Sequence, residues 1–331
     1  MTSRSNAWGR DAIDGIRMRY AGIAVGTVDS EGTAITLEAG RDDLREDSVF
    51  EFGSVTKTMT GLILATAVTR RELALETTVG DVLGPAASAA SAITLVQLAT
   101  HTAGLPRTAP NFRSAIDDPG DPFARYDAER LLESLQQITP DVARSEYSNF
   151  GYQILGYLIE RALGRTLPDL FRERIFQPLG MDTCGVQQDP VHTPGILPGY
   201  RAGSLVPHWH LPLAGPGGVT GTIGDLVRYV GIHCGASAHE DLDEAVRVAT
   251  TIHARGPDAP MGLAWMQVKE TFIHGGQTAG FKTFIGFHQP TRTAVAVAVN
   301  SGTADVAVNA HGSRLLNEMV RQRGPTGGEA S

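Results

Sequence analysis

The sequence predicts an α+β fold in which an antiparallel sheet is flanked by terminal helices and interrupted by an inserted, all-helical subdomain. Three observations lead to this prediction. Segments with strand composition lie at 21–39 and 264–299, the residues from 54 to about 252 have mostly helical periodicity, and helical patterns occur at both ends of the chain. The later strands are therefore expected to complete a sheet that the first strands begin.

The N-terminal elements are predicted to be a helix followed by a hairpin. Residues 7–19 form an amphipathic pattern at helical spacing. A β-rich run at 21–28 is followed by a turn at 29–32 and by a second run at 33–39. Two short strands joined by such a turn form a β-hairpin.

The central insertion carries its own helix-start and helix-stop signals. Thr94 and Thr222 open capping boxes, in which the hydroxyl at the helix start and a side chain three residues later satisfy free backbone N–H groups. Further helices are predicted over 128–138 and 149–163, and Gly164 is placed to end the second of them. A helical block therefore separates the strands.

The C-terminal part returns to strands and closes with a helix over 306–323 and a disordered tail at 324–331. Its strands are predicted at 264–268, 270–274, 282–288 and 293–299, separated by Gly or Pro turns. We interpret 1–331 as one domain. Its α/β subdomain spans about 1–53 and 254–324, and its helical subdomain spans about 54–253.

Composition and charge favour a small-molecule ligand. The chain of 331 residues is 42% hydrophobic and has a formal net charge of -8, so it offers no basic surface for nucleic acid or an anionic membrane. Residues 1–20 contain no apolar run typical of a signal peptide, and we expect a cytoplasmic protein. Cys184 and Cys234 fit two buried thiols, although a disulfide between them stays open. The sequence leaves the oligomeric state open.

The segment Ser54-Val55-Thr56-Lys57 is the strongest chemical signal. Ser54 and Lys57 are three residues apart at the start of a predicted helix, so they lie on one face, within reach of each other. Backbone N–H groups without intrahelical partners surround a hydroxyl at this position. The pair is a candidate nucleophile and base, although Ser-x-x-Lys also occurs by chance as a helix cap with a solvated lysine.

Two further motifs follow in the order that serine acyl-transfer chemistry requires. These are Tyr147-Ser148-Asn149, just before the helix at 149–163, and His274-Gly275-Gly276, in a predicted strand. Taken singly, Tyr147 could be a core residue, Asn149 a helix cap and His274 an ordinary strand residue. The ordered set of three motifs favours an enzyme.

This ordered set resembles the serine β-lactamase and penicillin-binding-protein superfamily, most of all the class C β-lactamases with their esterase, D-aminopeptidase and transacylase relatives. The resemblance extends over nearly the whole chain and implies a β-lactamase-like fold. It implies that Ser54 attacks a carbonyl and carries the acyl group as an ester, while Lys57 and Tyr147 carry protons, either of them being the base. Asn149 would hold Lys57 or the acyl side chain, and the backbone N–H groups of Ser54 and Gln277 would hold the oxyanion. No cofactor or metal is implied.

The third motif departs from the Lys-Thr-Gly version of many β-lactamases, because His274 and Gly275 replace the lysine and the threonine. A histidine is largely neutral near pH 7 and removes a permanent charge for a substrate carboxylate. We therefore expect an esterase, an amidase or a transacylase that acts on a small ester or amide and can pass the acyl group to an amine or alcohol. The alternatives are a β-lactamase or D-alanyl-D-alanine carboxypeptidase, and a catalytically silent binding protein of the same fold.

Two long loops and one histidine pair each allow two interpretations. The loops at 107–126 and 185–221 could be walls of a binding site or surface excursions. His208 and His210 form an H-x-H pair, which raises the alternative of a metal-dependent hydrolase. We favour loop histidines, since no partner residue lies at a known ligand spacing.

Overall fold

The computed structural model describes residues 21–141, 143–188, 195–235, 240–303 and 307–323. The predicted helix at 7–19 and the predicted tail at 324–331 lie outside these residues. Within the described part of the chain, no helix is long and apolar enough to cross a membrane. Cys184 and Cys234 are both free thiols, so no disulfide joins them.

The main sheet has eight strands in the order β2-β1-β13-β12-β11-β10-β9-β8, and neighbouring strands pair antiparallel. β1 therefore bridges the N-terminal hairpin and the C-terminal strands, as the sequence predicts. The described strands are β1 (Ile23–Asp29), β2 (Gly32–Glu38), β3 (Phe50–Glu51), β4 (Gly185–Val186), β5 (Gly199–Arg201), β6 (Ser204–Val206), β7 (Val219–Gly221), β8 (Ala254–Arg255), β9 (Pro260–Met261), β10 (Met266–Val268), β11 (Thr271–Gln277), β12 (Lys282–His288) and β13 (Thr293–Val299).

The helices fall mainly between β3 and β8, with one more after β13. The described α-helices are α1 (Thr56–Thr69), α2 (Val79–Leu83), α3 (Leu95–Ala99), α4 (Ala128–Leu135), α5 (Asn149–Leu163), α6 (Leu167–Phe171), α7 (Gln177–Leu179), α8 (Ile223–Ile232), α9 (Glu240–Thr250) and α10 (Val308–Arg323). Short 3₁₀ helices occur at Gly53–Val55, Gly84–Ala90 and Phe112–Ala115, and a π-helical turn occurs at Arg172–Phe176. The predicted capping boxes at Thr94 and Thr222 are both formed.

Two layers of side chains cover the two faces of the sheet. Along β13 the valines pack with Leu315 and Leu316 of α10 on one face, while the alanines belong to the core shared with α8 on the other. Because alternate residues of a strand point to opposite faces, the alternation of Val and Ala sets the two layers apart. Small residues are needed on the α8 face, where a Cβ added to Gly26 would lie 2.0 Å from the Val227 side chain.

Helix α1 is the centre of the molecule. Residues 56–67 are all buried, so the helix has no exposed face and packs on every side. Gly61 allows the helix to approach the backbone at Leu263, since a Cβ on Gly61 would lie 2.7 Å from the Leu263 carbonyl oxygen. This packing fixes the start of α1, which contains Lys57 and directly follows the turn that contains Ser54.

Several predicted boundaries need correction. The strand expected at 270–274 runs on through Gly275, Gly276 and Gln277, so the two glycines belong to the strand and not to a turn. The strand expected at 264–268 begins only at Met266, because Ala264 has a φ of +69° that a regular strand does not allow. The helical segment between 54 and 252 also contains the short strands β4, β5, β6 and β7.

Candidate active site

Ser54 lies in the tight turn Gly53–Val55 that leads into α1. Gly53 has a φ of +52°, a conformation that glycine adopts readily and other residues avoid. The turn also packs against β11, because a Cβ on Gly53 would lie 2.7 Å from the backbone nitrogen of Gln277. The sequence Phe52-Gly53-Ser54 therefore places the serine half-buried between the start of α1 and the end of β11.

Lys57 is completely buried, one turn further along. Its Nζ donates to three acceptors that come from distant parts of the chain: Ser54 Oγ at 3.0 Å, Asn149 Oδ1 at 2.8 Å and the Pro216 carbonyl at 2.8 Å. Burial, assisted by the positive charge of Arg107, holds the pKa of Lys57 well below its ordinary value. The lowered pKa favours the neutral amine, which can accept a proton.

Tyr147 packs against the side chains of Lys57 and Arg107. Its ring centroid lies 5.0 Å from Lys57 Nζ and 5.2 Å from Arg107 Cζ. Burial raises the pKa of Tyr147 to about 12, although a hydrogen bond with Ser54 and the charge of Arg107 act in the opposite direction. The phenol is therefore protonated at neutral pH and can act as a proton donor beside the serine.

Asn149 is the first residue of α5 and points its side-chain oxygen at Lys57. The helix start is held by Ser148, whose hydroxyl accepts from the backbone N–H of Gly151 at 2.8 Å, so the cap is Ser148 and not Asn149. This arrangement leaves the Asn149 amide available for the site. Its own backbone N–H donates to the Arg107 carbonyl at 2.9 Å.

The end of β11 forms the opposite wall. Gly276 lies close to the residues that precede Ser54, since a Cβ on Gly276 would lie 2.0 Å from the Phe52 carbonyl oxygen. A Cβ on Gly275 would lie 2.5 Å from the Asn309 side chain. The Thr283 hydroxyl donates to the same Phe52 carbonyl at 2.8 Å. Glycines are therefore required here by close approach, and β11 brings the backbone of Gln277 beside the serine turn.

Two buried histidines pack around Tyr147. His274 on β11 has its ring 6.4 Å from the Tyr147 ring, and burial together with the Lys57 charge lowers the pKa of His274 to about 3. The His101 ring is nearer, at 4.5 Å, and its Nδ1 accepts from the Ser148 backbone N–H at 3.2 Å. Burial holds the pKa of His101 well below its ordinary value. Both rings are therefore neutral near pH 7.

Two cavities meet at Ser54. The large cavity, of about 560 Å³, is lined by Tyr147 and His274, by the charged residues Arg107, Asp258 and Lys282, and by the start of α10. The small pocket, of about 40 Å³, is lined by Asn149, Pro216 and Gly217 and by the apolar residues Phe123, Trp209 and Leu211. Gln277 lines both. A substrate held at Ser54 can therefore extend in two directions.

The two long loops form one wall of the small pocket. Trp209 Nε1 donates to the Gly120 carbonyl at 3.0 Å, and the Trp209 ring centroid lies 5.2 Å from that of Phe123. His210 pairs with Asp121 at 2.5 Å through its Nδ1, and its backbone N–H donates to the same carboxylate. The loops are thus bound to each other beside Ser54 and are not isolated surface excursions.

The H-x-H pair is divided between two carboxylates. His210 pairs with Asp121, whereas His208 Nδ1 lies 2.7 Å from Glu51 Oε1. Within the described ranges, no group of three or more His, Cys, Asp or Glu residues is arranged to hold a metal ion. The contacts of the two histidines are accounted for by loop packing.

The residues that the sequence singles out all lie at this site. Ser54, Lys57 and Asn149 are joined by hydrogen bonds, Tyr147 packs on Lys57, and the remaining residues line one or both cavities; these are His274, Gly275, Gly276 and Gln277. Their roles in catalysis stay predictions. The sequence analysis did not identify three groups that lie at the site, which are His101, Arg107 and the Pro216 carbonyl. His101 is followed by Thr-Ala-Gly, a local pattern that could have drawn attention to it, but the other two have no local signal.

Comparison with known proteins places these features in a family. The family model described as Beta-lactamase matches residues 11–318. The D-alanyl-D-alanine-carboxypeptidase/endopeptidase AmpH of Escherichia coli K12 is 28% identical over 239 residues, which are 66% of this chain and 61% of that protein. The unguisins hydrolase ungD' of Aspergillus campestris is 25% identical over 266 residues, which are 75% of this chain and 47% of that protein. The chain thus spans less than two thirds of the length of these relatives.

Solved structures agree on the architecture. A class C β-lactamase from Rhodobacter sphaeroides superimposes with a TM-score of 0.80 at 19% identity, and the match covers 95% of this chain and 98% of that one. A likeness at this identity concerns the fold, and it confirms the predicted β-lactamase-like α+β class. With the family model matched from 11 to 318, the chain belongs to the Beta-lactamase family, within the serine β-lactamase and penicillin-binding-protein superfamily.

Proposed function

We propose that this protein is a serine esterase or amidase that works through a covalent acyl-Ser54 intermediate on a small ester or amide. The observation that carries the proposal is the environment of Lys57 Nζ, which lies 3.0 Å from Ser54 Oγ inside a fully buried setting. A neutral amine has two N–H groups and one lone pair. The two N–H groups suit Asn149 Oδ1 and the Pro216 carbonyl, which leaves the lone pair for the Ser54 hydroxyl proton.

The first half of the reaction follows from this arrangement. Lys57 takes the proton of Ser54 while Ser54 Oγ bonds to the acyl carbon, and the negative charge that develops on the carbonyl oxygen is held by the N–H groups of Ser54 and Gln277. The bond from the acyl carbon to the leaving atom then breaks. Tyr147, which is protonated because its pKa is about 12, donates a proton to that atom and recovers one from Lys57.

The position of the proton donor orients the substrate. Tyr147 lines the large cavity and does not line the small pocket, so the leaving group departs into the large cavity. The acyl group then enters the small pocket against Phe123, Trp209 and Leu211. With a volume of about 40 Å³, that pocket suits a short acyl chain. Once the leaving group is gone, the large cavity has room for water, or for an amine or alcohol acceptor, which would make the enzyme a transacylase.

The neutral character of His274 supports esters and amides over β-lactams and D-alanyl peptides. A lysine in this strand position would present a permanent ammonium to a substrate carboxylate, whereas the buried His274 ring, with its pKa of about 3, presents none. We therefore rank β-lactamase activity and D-alanyl-D-alanine carboxypeptidase activity below ester and amide cleavage. The carboxypeptidase activity is the one in the name of the relative AmpH.

The test is a covalent label combined with product analysis. A fluorophosphonate probe should add one adduct to the wild-type protein by intact-mass measurement, and none to the Ser54→Ala variant. A panel of para-nitrophenyl esters with short acyl chains, offered with and without added amines, should release nitrophenol, and mass spectrometry should show whether amide forms beside free acid. A wild-type protein that takes no label and turns over no ester would support the silent binding protein instead.

A further inference from the structure

His101 occupies a helix end where glycine is the usual residue. It follows α3 in a Schellman motif, in which its backbone N–H donates to the Leu98 carbonyl at 3.4 Å and the N–H of Thr102 donates to the Gln97 carbonyl at 2.9 Å. The φ of His101 is +61°, a left-handed conformation that strains the backbone of a histidine but not that of a glycine. Glycine would serve the helix end better, so the contacts of the ring are what a histidine adds here.

The buried ring of His101 contacts the segment that carries Tyr147. Its centroid lies 4.5 Å from that of the Tyr147 ring and 5.1 Å from that of the Tyr152 ring. Its Nδ1 accepts from the Ser148 backbone N–H at 3.2 Å, while its Nε2 has no hydrogen-bond partner among the described residues. An imidazole nitrogen accepts only through a free lone pair, so this contact requires a neutral ring with its proton on Nε2. Burial, which holds the pKa of His101 well below its ordinary value, favours that neutral ring.

Tyr147 needs such contacts because it lies outside the regular elements. The residues 143–148 form neither helix nor strand, whereas Asn149 is held as the first residue of α5. The N–H of Ser148 belongs to the peptide bond that directly follows Tyr147, so the bond to His101 orients the backbone that carries the phenol. The packing of the two rings restricts the direction of the phenol itself. One residue therefore supplies both restraints on Tyr147.

We propose that His101 is a positioning residue, which holds the Tyr147 phenol where it can donate its proton to the leaving atom. The inference rests on the proposed function, in which Tyr147 is that proton donor. His101 lines neither cavity, so it acts through Tyr147 and not on the substrate. A misplacement of a catalytic group by about 1 Å can slow a reaction about 10²-fold, so the loss of a positioning residue is measurable in the rate.

Two substitutions that suit a left-handed backbone test the proposal. His101→Gly removes the ring and its acceptor, whereas His101→Asn keeps an acceptor oxygen one bond beyond Cγ, as Nδ1 is. His101→Gly should lower kcat/KM for ethyl butyrate by about tenfold to a hundredfold, and His101→Asn should recover part of that loss. The control is His233→Ala, which removes another buried ring, one that packs on Trp265 and Phe287 and lines neither cavity. It should lower the free energy of unfolding and leave kcat/KM unchanged.

A second ester and a double-mutant cycle show whether His101 acts through the phenol. Ethyl butyrate and para-nitrophenyl butyrate give the same butyryl-Ser54, but an ethoxide needs a proton in order to leave, whereas a nitrophenolate leaves readily as an anion. The loss in His101→Gly should therefore be smaller on the nitrophenyl ester. In a Tyr147→Phe background, where no phenol is left to position, His101→Gly should cause little further loss, whereas independent effects would multiply.

Several results would overturn the proposal. A wild-type rate in His101→Gly would do so, as would equal losses on the two esters or losses that multiply in the cycle, since these would reduce His101 to a group that stabilises the fold. If His101→Gly does not fold, nitrogen-15 NMR of the wild type decides. A proton on Nε2 alone supports the proposal, whereas a proton on Nδ1 at pH 7 rejects it. Failure of Ser54 to take a fluorophosphonate label would reject the proposed function and not this inference alone.

Discussion

Gly53 offers a direct test of whether the contact between the serine turn and β11 supports catalysis. The substitution Gly53→Ala adds one methyl group at a position where φ is +52° and where the new Cβ would lie 2.7 Å from the Gln277 nitrogen and 2.9 Å from its carbonyl oxygen. Both nearest atoms are backbone, which cannot rotate away as a flexible side chain can. The end of β11 must therefore move away from Ser54.

The expected size of the effect has two parts. A non-glycine residue in the left-handed region costs about 1–2 kcal/mol, of which about 0.4–1 kcal/mol is returned by the lower entropy of the unfolded chain. Overpacking against backbone adds about 1–3 kcal/mol. We expect the free energy of unfolding to fall by about 2–4 kcal/mol. Displacement of the Gln277 N–H from the oxyanion should slow acylation by about 10²-fold or more, the usual result of losing one such donor.

The assay is the rate of fluorophosphonate labelling and of ester turnover, with the free energy of unfolding measured by urea denaturation. Gly164→Ala is the matched control, since Gly164 has a φ of +63° but no atom within 4 Å of an added Cβ. It should lose about 1 kcal/mol of stability through backbone strain and keep its full rate. If Gly53→Ala acylated as fast as Gly164→Ala, the assignment of Gln277 to the oxyanion would be wrong.

The further predictions concern protons and metals. Tyr147→Phe should bind substrate but acylate about 10²-fold more slowly in stopped-flow measurements, and an unchanged rate would remove Tyr147 from the mechanism. The value of kcat/KM should rise with pH through the folded-state pKa of Lys57, well below 10.5, because the amine acts only when neutral. Between that pKa and 10.5, the unfolded chain binds more protons than the folded one, so the free energy of unfolding should also rise with pH. Urea titrations of Lys57→Met should show a smaller rise. Dialysis against EDTA should leave ester turnover intact, whereas a loss that zinc restores would revive the metal-dependent alternative.

The fold was predictable where the signal is local. The helix Asn149–Leu163 has the predicted bounds, because a local stretch of sequence contains both its apolar face and Gly164, whose left-handed conformation ends it. Strands β12 and β13 likewise match their predicted ranges. The predicted strand at 270–274 ended too early, because a glycine required by the close approach of Phe52 or Asn309 looks the same in a sequence as a glycine required by a bend.

The site was predictable to the extent that its chemistry depends on side chains. The spacing of Ser54 and Lys57 and the downstream Tyr147 and Asn149 were enough to predict that these groups meet. The Pro216 carbonyl was not predictable, since every residue has a carbonyl and the contact joins residues 159 apart in the chain. Arg107 was missed for a similar reason, because no local sequence pattern indicates that it lies beside Tyr147 and close enough to Lys57 to lower its pKa.

The protonation states of the buried groups around Ser54 have one physical cause. Lys57 is desolvated, Tyr147 keeps its proton and His274 stays neutral, so three groups that might carry charge around Ser54 are driven toward neutral forms by the same burial. A second permanent cation buried among them would push the pKa of Lys57 lower still and weaken it as a proton acceptor. Arg107 is instead exposed to solvent, so its charge lowers the pKa of Lys57 without adding a second buried cation to the reactive centre. The neutral His274, in the place of a strand lysine, likewise keeps a permanent ammonium out of this buried group.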